Sequence, residues 1–199
     1  MLETMKNKIF ALPLVLLLCS CFIASAQNKY EREYRIRKSQ FPKAALAVLK
    51  GELPKVKRLK FYKETDSAKT SFEAKFKKDK LWYSVEFDKD GHLEDIEVLI
   101  KQVDIPSDAF AKMTLYFNDQ FSKYRIKKIQ QQYPADRKKL KETFRNAFQN
   151  LLLPSLNYEL IVAGKKTENY FDYEILFDAA GNFKKIRKSL PPNYDHVLY

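Results

Sequence analysis

Hydrophobic and polar residues alternate over several short segments of the chain. The clearest case is residues 81–88, in which Leu81, Tyr83, Val85 and Phe87 occupy every second position. Successive side chains of a β-strand point to opposite faces, so this pattern predicts a strand with one apolar face. Comparable patterns predict further strands near residues 56–62, 71–77, 93–100, 126–129, 158–162, 170–178 and 182–188.

Helical spacing of apolar residues follows a proline at two places. The first segment is Phe41-Pro42-x-x-Ala45-Leu46-x-x-Leu49, and the second is Ile105-Pro106-x-x-Ala109-Phe110-x-x-Met113. Proline fits the first turn of a helix, and this spacing puts the apolar residues on one helical face. A third helix is predicted at residues 135–150, with one apolar face formed by Leu140, Phe144, Ala147, Phe148 and Leu151.

The predicted elements recur in the same order. Residues 83–91, Tyr-Ser-Val-Glu-Phe-Asp-Lys-Asp-Gly, align with residues 173–181, Tyr-Glu-Ile-Leu-Phe-Asp-Ala-Ala-Gly. Both predict a strand and a tight Asp-x-x-Gly turn. We therefore predict an α+β fold of two related units, each a helix packed on a four-stranded, mostly antiparallel sheet. The units are residues 27–104 and 105–190, and the second contains the inserted helix 135–150. The alternative is one larger α+β domain with chance similarity.

The motif Tyr-x-Val-Glu-Phe-Asp-x-x-Gly-x-Leu-x-x-Ile at residues 83–96, preceded by a helix, resembles the PepSY-like, β-lactamase-inhibitor-like secreted domains of Bacteroidetes-type bacteria. The resemblance covers residues 41–100 well and residues 105–188 more loosely. It implies a small periplasmic or surface binding module, with inhibition of an enzyme as one role. The matching residues are structural, and the inserted helix departs from the pattern.

The N-terminus has the features of a secretory signal peptide. Lys6 and Lys8 precede a mainly apolar run, and Ala24-Ser25-Ala26 forms a cleavage motif, so residues 1–26 are predicted to be removed. Cys21 offers an alternative, because Leu18-Cys19-Ser20-Cys21 resembles a lipobox and would give a lipid anchor. Cleavage after Ala26 removes both cysteines, so we expect no disulfide. Residues 191–199 are predicted to be an extended tail, because Pro191-Pro192 disfavours a helix.

The formal net charge of +12 changes the expected class of partner. An exported basic protein meets acidic proteins and anionic components of the cell envelope. We therefore expect a protein or an anionic envelope component as partner, with no nucleic acid and no transmembrane span.

No residue pattern predicts a catalytic, cofactor or metal site. The spacing Glu86-x-Asp88-x-Asp90-Gly91, followed by Glu97, admits a calcium loop, but its flanks predict strands, and a hairpin turn with solvated acids is the simpler interpretation. His92 follows the turn glycine and His196 lies in the tail, so neither suggests a base or a ligand.

The sheet face opposite the helices is expected to be solvated. Alternation places Trp82 and Lys75 on this face, and Lys60 and Tyr62 join it if Leu59 and Phe61 point inward. An aromatic residue among basic groups is typical of an interface anchor, so these four residues are the predicted partner-binding site. The alternative is that Trp82 packs inside the molecule.

These observations predict an exported, non-enzymatic binding module for a protein or cell-envelope component. The alternative is a proteinaceous inhibitor or regulator of a periplasmic hydrolase, which only the family resemblance suggests. A hydrolase would need a deep pocket lined by carboxyl or histidine side chains with shifted pKa values.

Overall fold

The computed structural model describes residues 27–29, 31–66 and 69–189. The predicted signal peptide and C-terminal tail lie outside the described residues, together with Cys19, Cys21 and His196. The predictions that concern these segments are therefore not tested by the fold.

In the described residues, ten strands form one sheet with helices between them. The strands are β1 (Gln27–Lys29), β2 (Glu31–Ile36), β3 (Lys57–Asp66), β4 (Lys69–Lys78), β5 (Leu81–Asp88), β6 (Leu93–Leu99), β7 (Lys123–Pro134), β8 (Asn157–Lys165), β9 (Tyr170–Asp178) and β10 (Phe183–Ser189). The α-helices in the described residues are α1 (Lys43–Glu52), α2 (Ser107–Gln120) and α3 (Leu140–Phe148), and 3-10 turns occupy Lys38–Gln40 and Gln102–Asp104.

The strand order follows the chain. Strands β2 to β10 are antiparallel neighbours in sequence order, and β1 adds to β10 in parallel. The α+β class is thus confirmed. The layout of two four-stranded units is not confirmed, because β6 pairs with β7 and joins the strands of both halves into one continuous sheet.

All three helices contact the same face of the sheet. Phe41, before α1, packs on Phe87 with ring centroids 5.8 Å apart, and Phe117 of α2 packs on Phe177 at 5.6 Å. Phe148 of α3 lies 5.5 Å from Tyr83 in β5. Helix α3 belongs to the C-terminal half by sequence but covers a strand of the N-terminal half, so the halves share one core.

The inward alternation predicted for β5 and β9 is found. Val85, Phe87, Ile175 and Phe177 are fully buried under the helices. Burial of aromatic side chains such as Phe87 and Phe177 removes a large apolar area from water. The resulting hydrophobic effect is the main interaction that holds the helices on the sheet.

Strand β3 departs from the prediction at its start. Regular alternation predicts that Leu59 points inward, but this side chain is 39% exposed. The pairing with β4 shifts between Lys57 and Lys60, and Arg58 has a positive φ of 57°. This irregularity breaks the alternation before Phe61, which is buried.

The two Asp-x-x-Gly turns have matching hydrogen bonds. The side chain of Asp88 accepts from the backbone N–H groups of Asp90 and His92, and Asp178 accepts from Ala180 and Asn182 in the same way. The turn glycines have positive φ values, 83° in the first turn and 80° in the second. Both turns are therefore built by a side chain that satisfies its own backbone.

Candidate functional site: the open face of the sheet

The face of the sheet opposite the three helices, called the open face here, carries most of the polar strand residues. The pairing register places its residues in rows across the strands. One row is Tyr62, Glu73, Glu86 and Asp95, and the next is Lys60, Lys75, Ser84, Glu97 and Gln132.

Trp82 lies on the open face near the start of β5, as predicted. The Arg58 guanidinium and the Lys77 ammonium each lie 5.8 Å from the centre of its ring. Cations at this distance from an indole ring are attracted by its π-electrons. Trp82 is half-buried, so its ring is shared between these contacts and the surface.

Lys60 lies beside a groove at the β2 edge of the sheet. This groove has a volume of about 710 Å³ and is lined by Arg35, Ile36, Arg37, Lys38, Gln40, Leu59, Lys60 and Phe61. Four of these eight residues are basic, so the groove combines positive charge with the apolar residues Ile36, Leu59 and Phe61. It is a surface suited to an acidic ligand with an apolar group.

Tyr62 and Lys75 lie on the open face but belong to an internal network. Tyr62 is only 4% exposed, and the Lys75 ammonium lies 4.9 Å from the centre of its ring. The same ammonium forms ion pairs with Glu33 at 3.0 Å and Glu73 at 2.7 Å. These two predicted site residues therefore support the sheet instead of presenting a free surface.

The Lys75 network controls the ionisation of Glu73. Burial alone would raise the pKa of this carboxyl, but the nearby Lys75 charge and the hydrogen bonds from Lys75 and Ser84 outweigh burial and lower the pKa. Burial also raises the pKa of the Tyr62 hydroxyl.

The middle of the open face contains a cluster of acids that is not predicted from the sequence pattern. Glu86 on β5 and Asp95 and Glu97 on β6 each offer an oxygen, and these oxygens all lie within 4.8 Å of one another. The sequence predicts a solvated face, but Glu97 is only 5% exposed. The prediction of a solvated face is therefore wrong at Glu97, where Gln130 of the neighbouring strand β7 donates to the carboxylate.

Burial and nearby negative charge disfavour the ionisation of all three acids of this cluster. Burial raises the pKa of Glu86 well above its usual range, and the charges of Asp95 and Glu97 raise it further. Burial and the charge of Glu159 raise the pKa of Asp95 to about 8 and that of Glu97 well above its usual range. The shared cause is charge crowding away from water.

Two glutamines of β7 border the cluster. Gln130 donates from Nε2 to Glu97 Oε2 at 2.5 Å, and Gln132 donates from Nε2 to Asp95 Oδ2 at 3.3 Å. The sequence contains a usable signal for this site: the turn at Asp88–Gly91 fixes a hairpin, and hairpin pairing sets Glu86 opposite Asp95. The contribution of β7 depends on a long-range pairing that no local pattern reveals.

The residues of the possible calcium loop do not converge on one centre. Asp88 and Asp90 stay in the turn with His92, whose Nδ1 lies 3.0 Å from Asp88 Oδ2. Glu86 and Glu97 belong instead to the cluster on the open face. The loop geometry of a helix-flanked calcium site is therefore not formed.

A second groove, of about 610 Å³, lies in the C-terminal half. It is lined by Tyr124, Arg125, Lys127, Ala163, Tyr170, Phe171, Asp172 and Ser189. Lys127 and Asp172 form an ion pair at 2.7 Å within it. Neither this groove nor the groove at the β2 edge contains a member of the acidic cluster.

Comparisons with known proteins identify the fold alone. No protein-family model matches the chain, and a comparison with curated proteins gives no match. A Bacteroides eggerthii protein, provisionally described as periplasmic, superposes with a TM-score of 0.50 at 15% identity, over 74% of this chain and 88% of that one. A DUF2874 family protein of Bacteroides uniformis does so with a TM-score of 0.50 at 13% identity, over 74% and 89%.

The structural likeness does not test the resemblance to PepSY-like domains, which rests on the motif residues. With respect to membranes, none of the described helices is long and apolar enough to cross a bilayer.

Proposed function

We propose that this chain is an exported, non-enzymatic binding protein whose partner is an acidic protein or an anionic component of the cell envelope. The contact surface is the basic end of the open face, centred on Trp82. The observation that carries the proposal is the position of Trp82 between Arg58 and Lys77, on the face that none of the three described helices contacts.

Export is supported by the signal-like segment and the cleavage motif at Ala24–Ala26. It agrees with the periplasmic description of the Bacteroides eggerthii protein, which has a similar fold. The resemblance of the motif at residues 83–96 to PepSY-like secreted domains also supports an exported binding protein.

The charge distribution supports an acidic partner. Arg58 and Lys77 flank Trp82, and the groove beside Lys60 adds three more basic residues. Basic side chains at the rim steer an acidic partner and increase the association rate, whereas a central aromatic ring contributes more of the affinity. The two features together form an anchor with a basic rim.

Binding is favoured over catalysis by the shape of the surface. The carboxyl groups with raised pKa values are Glu86, Asp95 and Glu97, and the two grooves described above lie elsewhere. An enzyme for an organic substrate would be expected to have such groups in a pocket.

Capture from an envelope extract tests the proposal. Trp82→Ala should weaken capture of the partner by about 2 kcal/mol or more, as loss of an anchor does, while Val103→Ala should leave capture unchanged. Val103 is a suitable control because it is 83% exposed and lies in the turn before α2. Mass spectrometry identifies the captured partner, and a hydrolase among the captured proteins would indicate the inhibitory role.

The same pair of variants can refute the proposal. A strong fall in the melting temperature of Trp82→Ala with unchanged capture would make Trp82 a packing residue. Equal loss of capture in Trp82→Ala and Val103→Ala would indicate that the contact surface is not centred on Trp82.

We also propose that residues 27–104 and 105–190 are related copies that have merged into one sheet. The support is local: both Asp-x-x-Gly turns have the same hydrogen bonds, and each packs against an alanine of the preceding helix, Ala45 or Ala109.

A further inference from the structure

Two acidic groups lie close together on the open face, and they differ in one respect. In the group of Glu33, Glu64 and Glu73, the Lys75 ammonium supplies a positive charge at 2.7 Å from Glu73 and 3.0 Å from Glu33. In the group of Glu86, Asp95 and Glu97, no Lys or Arg of the described chain lies within ion-pair distance of any carboxylate. The second group has the acids but lacks the cation.

Oxygen atoms without hydrogen-bond partners adjoin the second group. Gln130 is only 5% exposed, and its Nε2 donates to Glu97, yet its Oε1 is buried and has no hydrogen-bond partner in the described chain. Oδ1 of Asp95 is likewise buried and has no hydrogen-bond partner in the described chain. A buried carbonyl oxygen without a donor is costly. This oxygen belongs to the amide that binds Glu97, so a cation bound at the cluster would satisfy it.

We propose that Glu86, Asp95, Glu97 and the Gln130 carbonyl bind a hard divalent cation of the calcium and magnesium class. The donors are all oxygens, which such ions prefer, and there is no cysteine or histidine in the set. Oxygens that share a calcium ion at roughly 2.3–2.6 Å lie at most about 5 Å apart, and the three carboxylate oxygens meet this condition.

The surrounding charges favour a cation at this point. Glu73 and Glu159 add negative charge at all three carboxyl groups of the cluster. Lys69 opposes this at Asp95 and Lys128 at Glu97, each less strongly than Glu159 acts there. The bound cation would neutralise the negative charge of this cluster, as the Lys75 ammonium neutralises that of Glu33 and Glu73. This site goes beyond partner binding at Trp82 and does not depend on it.

Calorimetric titration and thermal unfolding of the purified chain test the proposal, with calcium chloride and magnesium chloride as probes and EDTA as the reference. We expect saturable binding of one ion and a melting temperature that rises by about 5 °C or more in millimolar calcium or magnesium. Sodium chloride at the same ionic strength should not give this rise, because general screening involves no site.

Variants locate the ion. The double variant Glu86→Gln, Glu97→Gln should remain folded, because neutral amides replace two repelling acids, and it should lose the rise in melting temperature. Gln130→Leu should weaken binding at least tenfold. Asp90→Asn is the matched control, since Asp90 is an exposed acid of the neighbouring turn, and it should bind like the unchanged chain.

Three results would overturn the site. The first is no binding of either ion to the unchanged chain, and the second is an undiminished rise in the double variant. The third is loss of binding in Asp90→Asn alone, which would place the ion in the turn. If the double variant does not fold by circular dichroism, binding by Gln130→Leu that equals the unchanged chain would overturn it.

Discussion

At the scale of single residues, the buried and half-buried acids on the open face are the most unusual feature of the described residues. Carboxyl groups seldom lie away from water without a paired charge, because desolvation of the ionised form is costly. Glu73 satisfies this requirement through Lys75, whereas Asp95 is bordered by Gln132, which is neutral. The contrast explains why the pKa of Glu73 is lowered and that of Asp95 is raised.

The raised pKa of Asp95 gives the unfolding free energy a definite pH dependence. The pKa is about 8 in the folded chain, against roughly 3.9 for an unfolded aspartate. The folded state therefore holds the proton more tightly, and the stabilisation is present below pH ~4 and is lost as the pH rises through about 8. In EDTA, we expect the free energy of unfolding to fall by on the order of 1 kcal/mol per pH unit in that window.

Urea unfolding at several pH values measures this dependence. Asp95→Asn should flatten it, while Glu142→Gln, an exposed acid on α3, should leave it unchanged. Glu86 and Glu97 act with the same sign, so some dependence should remain in Asp95→Asn. A stability that rises with pH between about 5 and 8 would contradict the assignment.

At the scale of elements, each turn is locked to a helix by close approach at a glycine. A Cβ on Gly181 would lie 2.2 Å from the carbonyl oxygen of Ala109 in α2, and one on Gly91 would lie 2.8 Å from the backbone nitrogen of Ala45 in α1. Only a residue without a side chain permits both this contact and the positive φ. The turn and the helix therefore form one packed unit in each half.

Gly181→Ala should lower the free energy of unfolding by about 2–4 kcal/mol, because it combines a strained φ with a backbone clash. Gly51→Ala is the matched control. Gly51 lies within α1 with nothing within 4 Å of a new Cβ, so this change should stabilise the chain by about 0.5–1 kcal/mol. Urea unfolding of both variants measures the difference, and a Gly181→Ala chain as stable as the unchanged one would contradict the packing described.

The elements that the sequence predicts well are those with a strong local pattern. The alternation from Leu81 to Phe87 predicts β5, and the apolar spacing after Pro106 predicts the start of α2. Local pattern fails at Leu59, which lies in an irregular pairing with β4 and is exposed where regular alternation would bury it. A register change depends on the neighbouring strand, so it leaves no mark in the segment itself.

The residues of the candidate site also divide into those that a local pattern predicts and those that depend on neighbouring strands. The alternation of its own strand assigns Trp82 to the open face, and Trp82 lies there beside Lys77. The buried state of Tyr62 and Lys75 could not be predicted, because it results from the ion pairs that Lys75 forms with acids of two strands. The acidic cluster likewise depends on the pairing of β6 with β7, which brings Gln130 beside Glu97.

At the scale of the whole molecule, one sheet separates two surfaces with different roles. The helix face holds the apolar core that stabilises the fold, including fully buried Phe76, Phe87 and Phe177. The open face carries the charged groups, with acids in its middle and basic residues around Trp82. Because the apolar core lies on the helix side, we expect a substitution at half-buried Trp82 to alter binding with little effect on the fold.

The central claim is that the partner contacts the open face, and lysine footprinting tests it most directly. The chain has exposed lysines on the helices, such as Lys50 and Lys141, and lysines on the open face, such as Lys60 and Lys77. Acetylation of the unchanged chain, with and without the captured partner fraction, compares the two groups in one sample. We expect the partner to protect Lys60 and Lys77 and to leave Lys50 and Lys141 as reactive as before. Protection of the helix lysines, with unchanged reactivity at Lys60 and Lys77, would contradict the claim.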